Sequence, residues 1–459
     1  MNSKSGISGL ARRNAAREDP TRVESKPNSG RKIALEPLRQ KGSDQRSFRG
    51  GAADLYNDYA IAGEMLARIR NWYGFEAGAV TVYRYAGGKW SPATQLTGDK
   101  PKSLMKARDW FGAAVDMYGD YVIVGAPLDD DKGPLLPEYF PSRGLGERYQ
   151  ARGLIERLFD KGYLNVYGHT TDKFSGITEG FQADFPELTK NDVYQLANAV
   201  SKSTDLKDSG TAHIFRRVGN DWKREGKLFA SDAKAKMKFG VDVAIHNEQS
   251  LVCATGVYQN ENTISSSAKT MGGGAYLFSK IQGRWVEETK LVTAKCKAVA
   301  LDSEWAMVGV RRPDRPSGTV YAFRKVNGRW ERYQELVADD FTTRGREFFA
   351  YGSTLDLSGD YVVIGNPLDD HGNARKWVQA GSAYVFKYEG GQWIQKQKLE
   401  RKFDTGMLGN FGTAVSLSGN RILVGASGAA GRIEGARKVG KAFIFEREGD
   451  YWNFVEELS

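Results

Sequence analysis

One spacing recurs along this chain of 459 residues: a Gly, an aromatic residue five positions later, and a Trp seven positions after that. It occurs at Gly78, Tyr83, Trp90; Gly210, Phe215, Trp222; Gly273, Phe278, Trp285; Gly318, Phe323, Trp330; Gly381, Phe386, Trp393; and Gly440, Phe445, Trp452. Six of the ten Trp fall on this one position, which marks a structural period and not a bias of composition. A worn copy fits the same spacing at Gly162, Tyr167 and Phe174. The segments around each Gly and Trp are rich in β-branched and aromatic residues. They are separated by turn chemistry such as Glu448-Gly449-Asp450, which predicts a strand, a tight turn and a second strand.

A second pattern precedes the first. Phe48, Phe111, Phe239, Phe349 and Phe411 open segments that lead through a turn into an apolar run ending in Gly or Ala, as in Asp120-Tyr121-Val122-Ile123-Val124-Gly125-Ala126. A unit near Lys297 keeps Trp305-Ala306-Met307-Val308-Gly309 but lacks the opening Phe-Gly, and one near Phe181 keeps only Asn191 to Ala197. Each unit therefore supplies four short antiparallel strands. Such a sheet cannot bury both faces alone, whereas radial repetition packs each sheet against its neighbours. The units, roughly 50–70 residues long, exceed the rungs of a β-solenoid. The expectation is an all-β, seven-bladed β-propeller of four-stranded antiparallel blades. Six blades with a long insertion is the alternative, because the second and third copies are degenerate.

The chain resembles the FG-GAP repeat family, found in integrin α-chain propellers and in bacterial proteins. Phe111-Gly112 followed by Gly125-Ala126-Pro127 carries the resemblance, with Phe411-Gly412 and Gly425-Ala426, and Phe349 with Gly365-Asn366-Pro367, as variants. It covers about residues 48–459. The family implies a propeller and an extracellular or surface location. Integrin-type units place an Asp-x-Asp-x-Asp-Gly calcium loop between their first and second strands. Here those turns are minimal (Tyr118-Gly119-Asp120, Ser358-Gly359-Asp360), so that site is not carried over.

Residues 1–47 lack hydrophobic periodicity and are rich in Arg, Lys, Ser, Gly and Pro, which predicts a disordered basic tail without the apolar core of a secretory signal. The longest insertion is expected at about 132–161, in the second unit. There Leu154, Ile155, Leu158 and Phe159 fall at helical spacing and predict a small helix over 145–159. Cys253 sits within an apolar run and reads as a buried small hydrophobe, and Cys296 lies in an inter-unit connection. Two cysteines make no disulfide framework. No apolar run is long enough to cross a membrane as a helix.

In a propeller the strand 1–2 and 3–4 turns share one face, and the strand 2–3 and blade-to-blade connections share the other. The first class is short in this sequence and the second is long and varied, so recognition is expected on the second. Its loops carry Arg68, Arg70 and Trp72; Arg311, Arg312 and Arg315; Arg375, Lys376 and Trp377; and Arg432, Arg437 and Lys438. Arg with interleaved Trp suits phosphates, sulfates, carboxylates and rings. The net charge of +10 points the same way.

Two acidic loops, with Asp129, Asp130 and Asp131 and with Asp369 and Asp370, are weak candidates for Ca²⁺, since neither alternates its ligands. No catalytic or metal motif is present, and His213 stands at a strand packing position. The expected function is a non-enzymatic binding or scaffold module, without cofactor, either monomeric or within a larger assembly. Its partner would be a protein or an acidic glycan, with nucleic acid admitted by charge. The alternative is a propeller enzyme acting on a polyanion, with Asp129, Asp130 and Asp369 as acid/base groups. Carboxylates recurring on first strands would favour that alternative, and Asp116, Asp242 and Asp356 are the ones present.

Overall fold

A computed structural model describes residues 52–65, 78–98, 109–129, 208–258, 270–271, 273–311, 318–340, 350–370, 380–401, 409–428 and 440–458. Blade 1 is built from β1 (Ala53–Tyr56), β2 (Tyr59–Glu64), β3 (Ala79–Ala86) and β4 (Lys89–Leu96). Blade 2 is built from β5 (Ala114–Tyr118), β6 (Tyr121–Ala126), β7 (Thr211–Val218) and β8 (Asp221–Leu228). Blade 3 begins with β9 (Phe239–His246) and β10 (Gln249–Ala254), followed by a small ribbon, β11 (Val257–Tyr258) and β12 (Thr270–Met271). It is completed by β13 (Gly274–Ile281) and β14 (Arg284–Val292). Blade 4 comprises β15 (Lys295–Leu301), β16 (Trp305–Arg311), β17 (Thr319–Val326) and β18 (Arg329–Leu336). Blade 5 comprises β19 (Thr354–Ser358), β20 (Tyr361–Asn366), β21 (Ser382–Glu389) and β22 (Gln392–Glu400). Blade 6 comprises β23 (Phe411–Ser418), β24 (Arg421–Ala426), β25 (Lys441–Glu448) and β26 (Tyr451–Leu458). Each blade is an antiparallel sheet with its strands in chain order. First strands from all six blades line one central cavity of about 160 Å³.

The propeller therefore has six blades, not the expected seven. The decisive pairing is in blade 2, where Ala126 lies opposite Thr211 and Tyr121 opposite Arg216. The edge of β6 is thus taken by β7, and residues 130–207 are an insertion within one blade. The worn copy at Gly162, Tyr167 and Phe174 and the remnant at Asn191 to Ala197 lie outside the described residues. A single Gly-to-aromatic spacing without its Trp lacks the contact that makes the spacing meaningful, as described next. No helix occurs among the described residues, and the expected helix at 145–159 lies outside them.

The two sequence patterns are the halves of one joint. Trp90, Trp222, Trp285, Trp330, Trp393 and Trp452 each hold the second position of a fourth strand. From there Trp222 meets Tyr59, Trp285 meets Tyr121, Trp393 meets Trp305, and Trp452 meets Tyr361, all edge-on at 5.2–6.0 Å and all across a blade boundary. At the other end of the boundary, the Gly that opens a third strand bridges the Phe that opens the next blade. These bridges are Gly78–Phe111, Gly210–Phe239 and Gly381–Phe411. Phe111, Phe239 and Phe411 are at most 1% exposed.

The Gly at the end of the second strand completes the joint. A Cβ on Gly125 would stand 2.0 Å from the Gly240 carbonyl oxygen, and Gly63, Gly309 and Gly365 meet Gly112, Gly352 and Gly412 in the same way. Backbone touches backbone there, so no side chain fits. In blade 5 the partner pair is Tyr351-Gly352, with Gly352 N–H donating to the Gly365 oxygen, so Tyr351 and not Phe349 takes the place of the Phe.

One joint is built differently. At the boundary of blades 3 and 4, Cys253 occupies the place of that strand-two Gly. Cys296, opposite Val310, occupies the place of the Phe, which in blade 6 lies opposite Ala426. The two cysteines are fully buried and form a disulfide with Cα atoms 5.5 Å apart. A covalent link stands where the other boundaries place the Phe-Gly contact.

Candidate functional site at the loop-bearing face

The two faces of the propeller differ in kind. The strand 1–2 and 3–4 connections close in two residues, as at Asn57-Asp58, Gly119-Asp120, Gly219-Asn220, Gly359-Asp360 and Gly449-Asp450, except in blade 4, where Asp302, Ser303 and Glu304 join the first two strands. Left-handed residues make this possible, among them Asn57 (φ 53°) and Gly119 (φ 60°). All the long connections, including residues 130–207, leave from the opposite ends of the blades.

The bases of two long loops are pinned by the acidic residues. The Asp129 N–H donates to the Ala126 oxygen (3.1 Å), and Gly210 N–H donates back to the Asp129 oxygen (3.0 Å). Asp369 repeats this with Asn366 (3.2 Å) and Gly381 (3.0 Å). Both carboxylates turn inward. Thr211 Oγ1 donates to Asp129 Oδ2 and Ser382 Oγ to Asp369 Oδ2, each at 2.6 Å. Lys227 lies 3.0 Å from Asp129 and Lys398 2.9 Å from Asp369. Burial opposes ionisation of Asp129, but Lys227, His213 and Thr211 outweigh it and hold the carboxyl well below the usual range. These two carboxylates are committed to hydroxyls and ammonium groups inside the blades. Among the described residues no group of three or more side chains is arranged to hold a metal. Asp130 and Asp131 lie outside the described residues, and Asp370 is half-buried beside Asp369.

The same cluster contains His213, with Nε2 3.2 Å from Thr211 Oγ1 and 3.8 Å from Asp129. Asp, His and Thr together resemble a nucleophilic triad only in composition. The Thr211 hydroxyl donates its hydrogen bond to the carboxylate, and His213 and Thr211 are at most 1% exposed, so the cluster is sealed inside the blade. His213 packs edge-on against Phe111 at 5.2 Å, as its strand position predicts.

The channel carboxylates also have structural employment. Asp54 Oδ2 accepts the Met117 N–H (2.8 Å), Asp116 that of Ile245 (2.7 Å), Asp242 that of Val299 (2.8 Å), and Asp356 that of Leu417 (2.7 Å). Each bond ties one blade to the next around the cavity. Asp54 belongs to this set and was missed in the sequence, since blade 1 lacks the aligned Phe-Gly that marks its position. Burial, reinforced by the charge of Asp356, pushes Asp242 up to about 7, against the backbone bonds from Val299 and Val243.

Of the twelve basic and aromatic residues expected to carry recognition, Arg311 is described. It ends β16, half-buried, directly opposite Lys295 on β15. Arg68, Arg70, Trp72, Arg312, Arg315, Arg375, Lys376, Trp377, Arg432, Arg437 and Lys438 lie outside the described residues. Two lysines that the sequence reading did not single out, Lys295 and Lys297, stand beside Arg311. Burial first, and then Arg311 and Lys295, push Lys297 down to about 7. Burial, Arg311 and Lys238 lower Lys295.

The model of the FG-GAP repeat matches residues 105–135, 222–278, 330–386 and 393–445. These four regions are similar to FG-GAP repeats, which is consistent with an FG-GAP repeat β-propeller. The three longer matches each begin on the Trp of one blade and end on the third-strand aromatic of the next, so the FG-GAP unit spans a blade boundary and not a blade. The matched regions leave out 279–329, which contains Cys296 and Lys297, where the Phe-Gly is replaced, while Cys253 lies within a matched region. No curated protein matches the chain.

Proposed function

We propose that this FG-GAP propeller is a non-enzymatic binding or scaffold module that takes an anionic partner, an acidic protein surface or glycan, on its loop-bearing face. The observation that carries the reading is the asymmetry of the faces. Turns of two or three residues close one end of every blade, while the long connections, whose sequences carry the Arg and Lys, leave from the other. Charges gathered on one face add their fields, which steers an acidic partner and raises its on-rate. Two of the carboxylates that the enzyme alternative would use, Asp129 and Asp369, are engaged in pinning loops. The buried disulfide supports a site of action in an oxidising compartment, where such bonds persist.

The test is retention of the full chain on a sulfated polysaccharide matrix and on an acidic protein matrix across a salt series. Binding to one of them should fall steeply between low and physiological ionic strength, because exposed charges are screened over about 8–10 Å. Replacing Arg311, Arg312 and Arg315 together with Ser should weaken it without unfolding the protein. Equal retention of parent and variant at every salt concentration would sink the reading.

A further inference from the structure

We infer that the outer edge of β26 is a docking site for a short strand of this same chain, Arg31 to Lys41, which adds to blade 6 as a fifth strand. This goes beyond the loop-face reading and does not depend on it. Every blade ends in an edge strand, and the six edges are not alike. Five carry basic residues or Pro, which blunt an edge against further pairing: Pro92 on β4, Arg224 on β8, Lys290 on β14, Arg332 on β18 and Lys396 on β22. β26 has no Lys, Arg or Pro, and it exposes Tyr451 (70%), Phe454 (42%) and Val455 (52%). Val455 is the extra residue of a bulge, since Phe445 lies opposite Phe454 and Ile444 opposite Glu456. The same bulge occurs in β8, β18 and β22, and there its extra residue bridges to the next blade. Glu225 accepts the Trp285 Nε1–H (3.0 Å), Tyr333 shares a hydroxyl hydrogen bond with Tyr388 (3.2 Å), and Lys396 stands 3.9 Å from Asp450. By that repeat Val455 is turned toward blade 1, yet it is apolar and half exposed.

The occupant follows from charge and from where the chain enters the ring. Residues 1–51 lie outside the described residues and rejoin them at Ala52, at the head of blade 1, whose β1 lines the central cavity together with β23 of blade 6. The segment of residues 1–51 richest in apolar side chains is Ile33-Ala34-Leu35-Glu36-Pro37-Leu38, and Arg31, Lys32, Arg39 and Lys41 flank it. In an extended strand Ile33 and Leu35 share one face, and Pro37 is tolerated where the strand is outermost. β26 and the turn before it are acidic, with Glu448, Asp450, Glu456 and Glu457. Lys387 answers Asp450 and Lys441 answers Glu457, which leaves Glu448 and Glu456 to meet the basic flanks. A second copy of β26 would bring the same carboxylates and no cation. Residues 42–51 can span up to about 33 Å, and a four-stranded blade is about 15 Å across. A tether of that length holds the segment at a millimolar effective concentration.

The experiment is amide hydrogen exchange of the full chain, read by mass spectrometry. In the parent, residues 31–41 and the outward amides of β26 should both exchange slowly. Ile33→Asp combined with Leu35→Asp should speed exchange at both places about tenfold or more, and Val455→Lys should do the same from the other side of the contact. Val455 is half exposed, so its replacement leaves the blade folded, and β22 should keep the parent's exchange in every variant. Val326→Lys, at an exposed site on blade 4, should leave both segments protected. A synthetic peptide of residues 31–41 should protect β26 saturably in the Ile33→Asp, Leu35→Asp chain, and about tenfold more of it should be needed in the parent, whose edge is already filled. Fast exchange of residues 31–41 in the parent would overturn the inference, as would protection unaltered by Ile33→Asp with Leu35→Asp. Protection of β26 that rises with protein concentration and survives that double substitution would overturn it in favour of a second copy at the same edge.

Discussion

The covalent link between blades 3 and 4 can be tested by its removal. Cys253 and Cys296 are separated by 43 residues, so the bond closes a loop spanning most of one blade and the start of the next. In the chain-entropy account, removing a cross-link over a loop of that length returns about 4 kcal/mol of freedom to the unfolded chain. Cys253→Ala with Cys296→Ala keeps the joint apolar and leaves only two small voids, so the entropic effect should dominate. Equilibrium urea unfolding, followed by tryptophan fluorescence, should show the double variant less stable than the oxidised parent by about 2–4 kcal/mol. Reduction of the parent should reproduce the change. Thiol titration of the parent, denatured without reductant, should find no free thiol. Two free thiols, or a double variant within about 0.5 kcal/mol of the parent, would refute both the link and the argument that it replaces a Phe-Gly joint.

Three further outcomes are expected. Asp242 has a folded pKa raised from 3.8 to about 7, so the folded state holds its proton more tightly and the resulting stability is present below about pH 4 and lost as pH rises through 7. Asp242→Asn, which keeps an acceptor for the Val299 N–H, should flatten stability against pH between 4 and 8 and raise it at pH 8. An unchanged pH profile would show that Asp242 ionises freely. Gly125→Ala forces a Cβ to within 2.0 Å of a backbone oxygen and should cost about 3 kcal/mol or more, read as a lowered thermal midpoint. A substitution that proves neutral would show that the blade boundary is slack. Asp129→Ala strands Lys227 and Thr211 in the interior and should cost about 3–5 kcal/mol. It should leave any calorimetric response to Ca²⁺ unchanged, and loss of a response seen in the parent would return Asp129 to the status of a ligand.

The period of the fold was legible because it is written in residues with one physical use. A Trp that must meet an aromatic of the preceding blade, and a Gly that must touch a backbone, tolerate little substitution, so both rulers could be read by eye. The blade count was not legible at the second unit. Sequence spacing reports which segments are similar, while the count depends on which strand occupies the edge of β6, and that is set by residues lying on both sides of an insertion. Lys297 escaped notice for a related reason. Its significance lies in replacing a Gly, and the replacement is visible only once Cys296 is seen to stand for a Phe. The disulfide had the same signal, since Cys253 falls on the Gly of the apolar run. The roles of Asp129 and Asp369 depended on the direction in which the side chain turns, which spacing does not carry.

The hydrogen bond from Gly210 to the Asp129 oxygen gives the propeller a property of sockets. It brings the two ends of residues 130–209 within 3.0 Å, and the equivalent bond from Gly381 does so for residues 370–380. The blade beneath sees the same two anchored ends in either case. Closing a segment about sevenfold longer costs only about 2 kcal/mol more in chain entropy, because the cost grows with the logarithm of length. A lineage of such chains could lengthen, shorten or replace whatever stands above one clamp without retuning the six sheets below. Grafting a foreign segment between Asp369 and Gly381 should be tolerated for the same reason.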